Sequence, residues 1–570
     1  MRWLLPLAFV ACSHEVTPEA RPAAHAGPRT ITIIGTNDLH GALDRMPLLA
    51  GFVANVRAAR AADGGGVLLL DGGDLFQGTL ESNLAEGADV VRAYNALHYD
   101  ASAIGNHEFD YGPVGPAVTA KSASDDPRGA LKRNIAAAKF QFLSANIVDD
   151  ATGKRPPPWP NLKASTTIDV AGVKVGVVGV STEATPTTTM PANFKGLHMT
   201  PSADAVAAEA KALRAAGADA IVVVAHIGSE CRDTAHHDDI TSCDKRAELF
   251  GLADALPRGL VDVIVAGHTH AAVANRIDGI AVIESYSSGR AFGRVDLVIA
   301  DHKVVRSEIF DPHLMCPLDE NRDPAPIADC KLGDYEGKPV VADAAVQKIV
   351  DEAIARAGGK RDEKLGVTLT ATVRKAYGTE SELGDLFADL MLAARPDAQI
   401  ALTNGGGLRA ALPAGELTYG QLFQSNPFDN RFALVDVDGA QVKKLVVGNL
   451  KRGGGIISWG GLTAVARCDG GKLDVQIAIA GKPLDEHARY KLVTSDFLAT
   501  GGDRALAELH LAATAITMTD DIIREGMAAV LRARKGTIDP KQLTTPKRLD
   551  YPGKRPVKCG DHEEQEKEKE

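Results

Sequence analysis

Six short apolar runs rich in β-branched residues constrain the fold more than any other feature of the chain. Each run is compact, the pattern of a buried strand. Alanine-rich stretches of helical length, such as Ala203–Ala216, lie between some of the runs. This alternation predicts an α/β domain. The runs are Ile31–Gly35, Val67–Leu70, Val173–Val180, Ala220–Ala225, Asp262–Ala266 and Ile280–Ile283.

The length of 570 residues indicates two or more domains, because one hydrophobic core rarely grows that large. We expect a first domain over residues 29–335, a linker over 336–363 and a second domain over 364–551. Within the linker, apolar residues at helical spacing predict a helix over Ala344–Ala357, and Gly358-Gly359 supply a stop signal.

The second domain begins with Val367–Val373, a strand-like segment rich in Thr and Val, and a helix is expected over Glu382–Ala394. Two terminal segments lack any periodicity. Residues 13–28, rich in Pro and Ala, are predicted to form a tether. Residues 552–570 are predicted to form a charged tail, which ends in the mixed-charge run Glu563–Glu570.

The N-terminus has the features of an export signal. Arg2 gives it a positive start, and the apolar run Trp3–Val10 is too short to span a bilayer. The run ends at Ala11-Cys12, which resembles a bacterial lipobox, with Phe9 where Leu is more usual. We therefore expect residues 1–12 to direct export to the periplasm or cell envelope of a bacterium, with lipidation of Cys12. Cleavage without lipidation and an uncleaved apolar tail are the alternatives.

The cysteine count agrees with export. Removing Cys12 from the seven cysteines leaves six, an even number that suits a disulfide framework in an oxidising compartment. Two pairs each bracket a short polar loop, and the third would tie the C-terminal tail to the last domain. Six free thiols are the alternative. The expected pairs are Cys231 with Cys243, Cys316 with Cys330, and Cys468 with Cys559.

The net charge of the chain limits the kinds of partner that it can bind. With 63 Lys and Arg against 74 Asp and Glu, the formal net charge is −11. This acidity argues against a nucleic-acid polymer as the main partner, because binding a phosphate backbone requires clustered basic residues. Small anionic substrates stay possible, since metals and a few arginines can offset their charge locally.

Candidate metal ligands follow the predicted strands. The segment Gly105–Gly112 places an amide, an imidazole and a carboxylate within one turn of backbone. Other strand ends carry further carboxylates and imidazoles, and strand ends on one side of an α/β layer converge in space. Together these groups could hold two divalent cations, which indicates metal-assisted hydrolysis of a phosphate ester. They are Asp38, His40, Asp74, Asn106, His226, His268 and His270.

From Ile31 to about Leu531 the chain resembles the calcineurin-like metallophosphoesterases, and within them the exported 5′-nucleotidase/UDP-sugar hydrolase family. This resemblance implies an α/β and α+β protein with three parts. A four-layer metallophosphoesterase β-sandwich flanked by helices comes first, a linker helix follows, and an α/β substrate domain of the 5′-nucleotidase type comes last. The matching segments are Thr36–Gly41, Asp71–Asp74, Gly105–Gly112, Ala225–Gly228 and Ala266–His270.

The resemblance also implies a role for each ligand. Asp38, His40 and His270 would hold one metal, whereas Asn106, His226 and His268 would hold the other; Asp74 would bridge the two. Some relatives have Gln at the position of His270, and both side chains can ligate a metal. Mixed nitrogen and oxygen ligands with open positions suit Zn²⁺, Mn²⁺ or Fe, and the choice among them stays open.

His107 and Asp110 are not needed as ligands. Three residues apart in a turn or helix start, they can face each other, and a carboxylate bonded to one ring nitrogen fixes the tautomer. The resemblance makes them the catalytic dyad, in which His107 stabilises charge on the phosphoryl oxygens or protonates the leaving group. A pair that merely braces the loop is the alternative.

Substrate contacts are expected in the second domain. Asn404–Arg409 is a glycine-rich turn that ends in a guanidinium, a combination suited to an anion. Phe428 and Phe497 taken alone would be core residues. The resemblance instead makes them the pair that stacks on the base, assigns base and phosphate contacts to Asn404 and Arg409, and assigns a ribose contact to Asp503.

One departure from the family pattern lies before the helix at Glu382. Relatives usually add arginines there, whereas this chain has Arg374, Lys375, Tyr377 and Thr379. Phosphate binding is therefore expected to be weaker or differently arranged. The run His236–Asp239 also has metal-binding residue types, but it lies in the polar loop between Cys231 and Cys243, so we interpret it as a solvated surface.

These observations predict a monomeric, exported phosphohydrolase that uses two metal ions to remove phosphate from nucleoside 5′-phosphates. Alternatives in the same class are hydrolysis of UDP-sugar or dinucleotide pyrophosphates, and 2′,3′-cyclic phosphodiesterase with 3′-nucleotidase activity. Thiosulfate-ester hydrolysis ranks below these, because the related proteins with that activity have a different sequence where this chain has Asn106–Glu108. A surface lipoprotein that captures nucleotides without hydrolysing them is the alternative from another class.

Overall fold

The computed structural model describes residues 27–318, 327–330 and 332–559. The predicted signal segment with Cys12, nearly all of the tether and the run Glu563–Glu570 lie outside these residues. Within the described ranges, no helix has both the length and the apolar composition needed to cross a bilayer.

The first domain is built on two facing sheets, and all six predicted strands are present in them. The first sheet has seven strands, in the order Lys303–Leu314, Ala291–Ala300, Arg29–Thr36, Gly66–Asp71, Ala101–Ala103, Gln141–Leu143 and Leu162–Lys163. The second has six, in the order Ala272–Ile277, Ile280–Ser285, Val263–Ala266, Ala220–His226, Val173–Ser181 and Ser165–Val170. The central strands of each sheet are parallel, which brings their C-terminal ends to one edge.

Helices cover the outer faces of this pair of sheets, which gives the four layers. Side chains such as Ile31, Leu68 and Val222 fill the space between the sheets, and all three are buried. Because both faces of each sheet are covered at its centre, the central strands are mostly apolar rather than alternating, whereas the edge strands Lys303–Leu314 and Ser165–Val170 keep exposed residues. The helices are Met46–Asp63, Leu80–Asn83, Ala88–Leu97, Gly129–Ala137, Thr185–Thr188, Pro191–Phe194, Ser202–Ala215 and Glu248–Ala255.

The second domain has a mixed five-stranded sheet at its centre, in the order Ile457–Gly460, Ile400–Asn404, Arg489–Ser495, Arg431–Asp438 and Ile516–Ile522. Apolar clusters lie on both faces of this sheet. A four-stranded sheet joins Lys482–Pro483, Lys472–Ile479, Leu462–Asp469 and Leu549–Asp550, and a three-stranded sheet joins Gly415–Thr418, Lys364–Leu369 and Gly536–Ile538. The helices are Glu382–Ala394, Tyr419–Ser425, Gly439–Lys451, Asp496–Ala499 and Ile523–Arg534.

The linker helix corrects one expectation. It begins at Ala344 as predicted but continues through Gly358-Gly359 to Arg361. Two interior glycines weaken a helix without ending it, and partners outside the helix hold its last turn. Lys360 pairs with Glu525 at 3.5 Å, and Arg361 pairs with Glu81 at 3.1 Å.

The opening strand of the second domain is also shifted, to Lys364–Leu369, and Val373 forms only an isolated bridge with Leu412. The helix over Glu382–Ala394 is confirmed at both ends. All three expected disulfides are formed, joining Cys231 to Cys243, Cys316 to Cys330, and Cys468 to Cys559.

Candidate active site

The candidate ligands meet at the edge where parallel strands of both sheets end. Asp38 and Asp74 follow the strands Arg29–Thr36 and Gly66–Asp71 of the first sheet. His226 is the last residue of its strand in the second sheet, and His268 follows the neighbouring strand. The two sheets thus bring side chains from distant parts of the chain to one place.

One group of donors consists of Asp38, His40 and His270. The Nε2 atoms of His40 and His270 lie 2.9 Å apart. Asp38 Oδ1 lies 3.3 Å from His270 Nε2 and 3.8 Å from His40 Nε2. Donor atoms this close together, two nitrogens and one carboxylate oxygen, can all reach one cation.

The second group consists of Asp74, His226 and His268, and Asn106 joins it. From His226 Nε2 the distances are 3.1 Å to Asp74 Oδ2, 3.0 Å to Asn106 Oδ1 and 3.2 Å to His268 Nδ1. Asp74 Oδ2 also lies 3.9 Å from His40 Nε2 in the first group. The same carboxylate oxygen therefore faces both groups.

Hydrogen bonds orient several of these donors inward. The Nδ1 atoms of His40 and His226 bond to the carbonyls of Gln77 and Gly72, at 2.9 and 3.0 Å, which leaves each Nε2 as the inward-facing ligand atom. The Asn106 amide donates to Thr188 O at 3.0 Å, which directs Oδ1 inward.

Asp38 shows the same division between its two oxygens. Oδ2 accepts hydrogen bonds from Asn37 Nδ2 and from the backbone N–H of His268. Among the described residues, Oδ1 is buried without a hydrogen-bond partner. A buried carboxylate oxygen is costly unless it is paired, so this atom fits a cation. The donor set as a whole suits divalent ions that accept nitrogen and oxygen ligands.

The electrostatics of the cluster also favour positive charge. Burial, followed by the neighbouring His226, lowers the pKa of His268 to about 3, which keeps that imidazole neutral. Burial also acts to lower the pKa of His226, but Asp74 and other carboxylates outweigh it and raise this pKa to about 10. The carboxylates therefore favour one positive charge at this position, which a proton on His226 supplies and a metal ion could supply in its place.

The backbone at the site is held in an unusual conformation. Five of the seven candidate ligands have φ between 50° and 83°, in the left-handed region that non-glycine residues seldom occupy. Such strain persists only where the surroundings enforce it, and it concentrates at functional sites. These residues are Asp38, His40, Asp74, His268 and His270.

Glu108 holds the backbone beside the candidate ligands in place, a role that we did not predict. Its buried carboxylate accepts the backbone N–H groups of Asp74, Leu75 and Gly105 at 2.6–3.0 Å. Burial and the Asp74 charge raise its pKa to about 8. A Cβ on Gly105 would lie 2.1 Å from Asp74 Oδ1, so only glycine permits this approach. A charged residue inside a fully buried motif is the signal that could have identified Glu108.

The structure pairs His107 with Asp110, as the sequence predicts. His107 Nδ1 lies 2.6 Å from Asp110 Oδ2. The other oxygen of Asp110 accepts the Thr189 hydroxyl at 3.0 Å and the Met190 N–H at 3.3 Å. Thr189 is a supporting residue that no sequence motif indicated, because its partner lies 79 positions away.

Arg409 reaches two of the candidate metal ligands from the second domain. Its Nη2 lies 2.8 Å from His40 Nε2 and 3.3 Å from His270 Nε2. The Phe428 ring lies 5.5 Å from the His107 ring, and the Arg409 guanidinium carbon is 5.8 Å from the Phe428 centroid. The second domain thus places a cation and an aromatic ring directly over the candidate ligands.

A cavity of about 550 Å³ lies between the two domains. Its walls include Asp74, Asn106, His268 and His270 from the first domain, and the dyad His107–Asp110. From the second domain come Asn404, Arg409, Phe428, Phe497 and Asp503. Asn404 Nδ2 donates to Asp503 Oδ2 at 2.5 Å. The remaining ligands Asp38, His40 and His226 are buried residues beside the cavity wall.

The segment that departs from the family pattern also reaches this cavity. Lys375 and Tyr377 both line it. Burial lowers the pKa of Lys375 to about 8, and the charges of Arg409 and Arg290 act in the same direction. An ammonium group therefore stands where relatives are expected to carry a guanidinium.

The run His236–Asp239 forms no ligand set in the described structure. His236 pairs with Asp233 at 2.7 Å, and Asp238 pairs with Arg276 at 3.1 Å. Both pairs are exposed, so this loop is a surface of local ion pairs.

Comparison with known proteins places this geometry in a family. Residues 31–272 match the family model of the calcineurin-like phosphoesterases, and residues 357–508 match that of the 5′-nucleotidase C-terminal domain. The chain is 28% identical over 509 residues to Protein UshA of Yersinia enterocolitica, covering 83% of this chain and 86% of that protein. It is 26% identical over 512 residues to a 5′-nucleotidase of Vibrio cholerae, covering 83% and 85%.

A solved structure agrees at the level of the fold. The 5′-nucleotidase precursor of Thermus thermophilus superposes with a TM-score of 0.70 at 23% identity, covering 92% of this chain and 99% of that one. Both family models match in the expected order, and the fold and the paired donor groups agree with them. The chain therefore belongs to the family that joins a calcineurin-like phosphoesterase domain to a 5′-nucleotidase C-terminal domain, and it is a metal-dependent phosphohydrolase.

Proposed function

We propose that the protein is an exported phosphohydrolase that uses two divalent cations to release phosphate from nucleoside 5′-phosphates. One observation carries the proposal: a single cavity has four of the candidate metal ligands on one wall, and a guanidinium with two aromatic rings on the other. The names of its relatives, Protein UshA and 5′-nucleotidase, support this substrate class.

In this proposal Asp38, His40 and His270 hold one cation, Asn106, His226 and His268 hold the other, and Asp74 is shared. When bound, such cations make water more acidic and offset charge on the phosphoryl oxygens. The shared oxygen of Asp74 supports this assignment, because it faces both groups.

The remaining residues bind and orient the substrate. Arg409 pairs with the phosphate, for which a guanidinium offers two parallel hydrogen bonds. Phe428 and Phe497 stack on the base, while Asn404 and Asp503 contact the nucleoside. His107 is held by Asp110 through Nδ1, which leaves Nε2 to stabilise a phosphoryl oxygen or to protonate the leaving oxygen.

Export forms part of the proposal. Three disulfides support it, because such bonds persist in oxidising compartments outside the cytoplasm. Lipidation of Cys12 and a monomeric state stay predictions. Labelling with a radioactive fatty acid, compared between the natural chain and Cys12→Ser, tests the first, and sedimentation velocity tests the second.

A substrate panel tests the function. Phosphate release is measured from AMP, ADP, ATP, UDP-glucose and 2′,3′-cyclic AMP, each with Mn²⁺, Zn²⁺, Co²⁺ or EDTA. We expect AMP to be hydrolysed with metal and not with EDTA. Faster cleavage of UDP-glucose or of the cyclic nucleotide would assign the protein to one of those activities instead. Tight AMP binding without release under every metal would establish nucleotide capture.

A further inference from the structure

The loop that carries Phe428 has an unusual support. This loop, residues Asn426–Asn430, connects the helix Tyr419–Ser425 to the strand Arg431–Asp438. Four of its residues line the cavity. The orientation of the Phe428 ring therefore depends on what holds the backbone on either side of it.

Arg524 holds that backbone from outside the described cavity lining. Its Nη1 donates to the carbonyls of Asn426 and Phe428, at 3.2 and 3.0 Å. Its Nη2 donates to the carboxylate of Asp429, and its Nε donates to the Tyr419 hydroxyl at 3.1 Å. One guanidinium thus contacts three of the five loop residues and the helix before the loop.

Several observations indicate that the contacts with the loop are what stabilise Arg524 in this position. Arg524 is only 3% exposed, and it is not among the described residues that line the cavity. Its guanidinium carbon lies 4.0 Å from the centroid of the Phe423 ring. Arg524 occupies the first turn of the helix Ile523–Arg534, where the helix dipole disfavours a cation. The contacts to the loop must compensate for this position as well as for burial.

Only arginine can make this set of contacts. Four of its five N–H donors are used, and they diverge in a plane toward separate acceptors. The lysine ammonium is a single point of charge with a different reach. Substitution by lysine would therefore keep the charge while losing the simultaneous hold on both carbonyls that flank Phe428.

We propose that Arg524 is a positioning residue for nucleobase recognition, acting through the Asn426–Asn430 loop to hold Phe428 in its stacking position. The inference rests on the proposed function, in which Phe428 stacks on the base. Arg524 itself touches no reacting atom. Its loss should therefore affect only those substrates that carry a base.

The test compares AMP with ribose 5-phosphate, which has the same sugar and phosphate but no base. Arg524→Lys should lower kcat/KM for AMP about tenfold, the scale of one lost stacking contact, and should change ribose 5-phosphate less than twofold. Phe428→Ala should show the same selectivity. Arg548→Lys is the matched control, because Arg548 also holds a carboxylate and a carbonyl, those of Asp389 and Trp459, away from the loop. It should leave the ratio of the two substrates unchanged.

The outcomes separate the inference from the function on which it rests. If Phe428→Ala does not change AMP kinetics, base stacking fails and the role of Arg524 fails with it. If Phe428→Ala is selective but Arg524→Lys is not, only the inference is overturned. An equal loss on both substrates also overturns it, because the residue would then support the fold in general. If Arg524→Lys does not fold, Tyr419→Phe decides, since it removes the acceptor of Arg524 Nε at a buried residue outside the cavity lining and should show the same selectivity.

Discussion

In two carboxylates of the site, Asp74 and Asp110, the two oxygens have different partners. Asp74 directs Oδ2 toward both donor groups, while its Oδ1 accepts the backbone N–H of His107 at 2.8 Å. Asp110 divides its two oxygens in the same way, between His107 and Thr189. A carboxylate held through one oxygen presents the other with little freedom, so no reorganisation is needed during the reaction.

Removing either central group should stop turnover without unfolding the protein. We expect Asp74→Asn and His107→Ala each to lower kcat for AMP at least about 100-fold, because one weakens both metal sites and the other removes a proton-transfer group. Phosphate release measures the effect, and circular dichroism checks the fold. Asp238→Asn, in an exposed ion pair, is the control. Activity close to that of the natural chain in both variants would contradict the site assignment.

The lowered pKa of Lys375 predicts a specific dependence of activity on pH. Its pKa is lowered to about 8, so the side chain is charged below this pH and loses its proton above it. Since a charged ammonium favours the phosphate anion, kcat/KM for AMP should fall as the pH rises through about 8.

The control for this pH dependence is Lys375→Arg, because an arginine stays charged over the whole range. In that variant the decline between about pH 7.5 and 9.5 should disappear. An identical decline in both proteins would show that some other group causes it.

At the scale of elements, the short helix Thr185–Thr188 and the two residues after it join both domains. Thr188 O accepts the Asn106 amide, and Thr189 and Met190 hold Asp110. The same helix contacts Gly502–Arg504, the turn that contains Asp503. One segment therefore contacts a candidate metal ligand, the His107–Asp110 pair and the turn that carries the proposed ribose contact.

The hydroxyl of Thr189 should matter for catalysis more than for binding. Thr189→Val keeps the shape but removes the donor to Asp110, so we expect kcat to fall about tenfold while KM for AMP stays within twofold. Thr189→Ser should restore most of kcat. Thr187→Val is the control, since within the described residues the Thr187 hydroxyl donates to the nearby Ala184 O and not to Asp110. A rise in KM alone would contradict a role through the dyad.

At the scale of the whole molecule, two domains share one active site. The first supplies the candidate ligands and the dyad, and the second supplies Arg409 and the aromatic rings. Direct contacts join them close to the cavity, including Arg409 with His40 and Asn83 with Pro427. Because both domains form walls of the cavity, we expect a movement of the domains to accompany product release, which is a common limit on turnover.

Metal binding should also stabilise the fold, apart from its effect on activity. A cation that binds the buried carboxylates of Asp38 and Asp74 only in the folded state adds its binding free energy to the free energy of unfolding. Removal of metal with EDTA should therefore lower the Tm of the first unfolding transition by at least about 3 °C, and Mn²⁺ should restore it. In Asp74→Asn this difference should shrink. A Tm independent of EDTA would argue against a bound metal.

Local patterns were sufficient for much of the fold. The six apolar runs predicted their strands, and the Glu382–Ala394 helix was predicted at both ends. Both predictions succeeded because buried strands and helices each leave a pattern in contiguous residues. The predicted C-terminal end of the linker helix was wrong, because the helix continues through the stop signal Gly358-Gly359. Its last turn is held by ion pairs of Lys360 with Glu525 and of Arg361 with Glu81. Such partners are distant in sequence and leave no local pattern.

The same division holds for the site. The sequence by itself determined which residue types could ligate cations, because each motif combines its donors with the turn that presents them. Only the tertiary structure decided how these motifs meet, how Glu108 and Thr189 orient them, and that Arg524 stands behind Phe428. The physical reason is that hydrogen bonds and burial depend on neighbours in space, and folding brings those neighbours together from positions far apart in the chain.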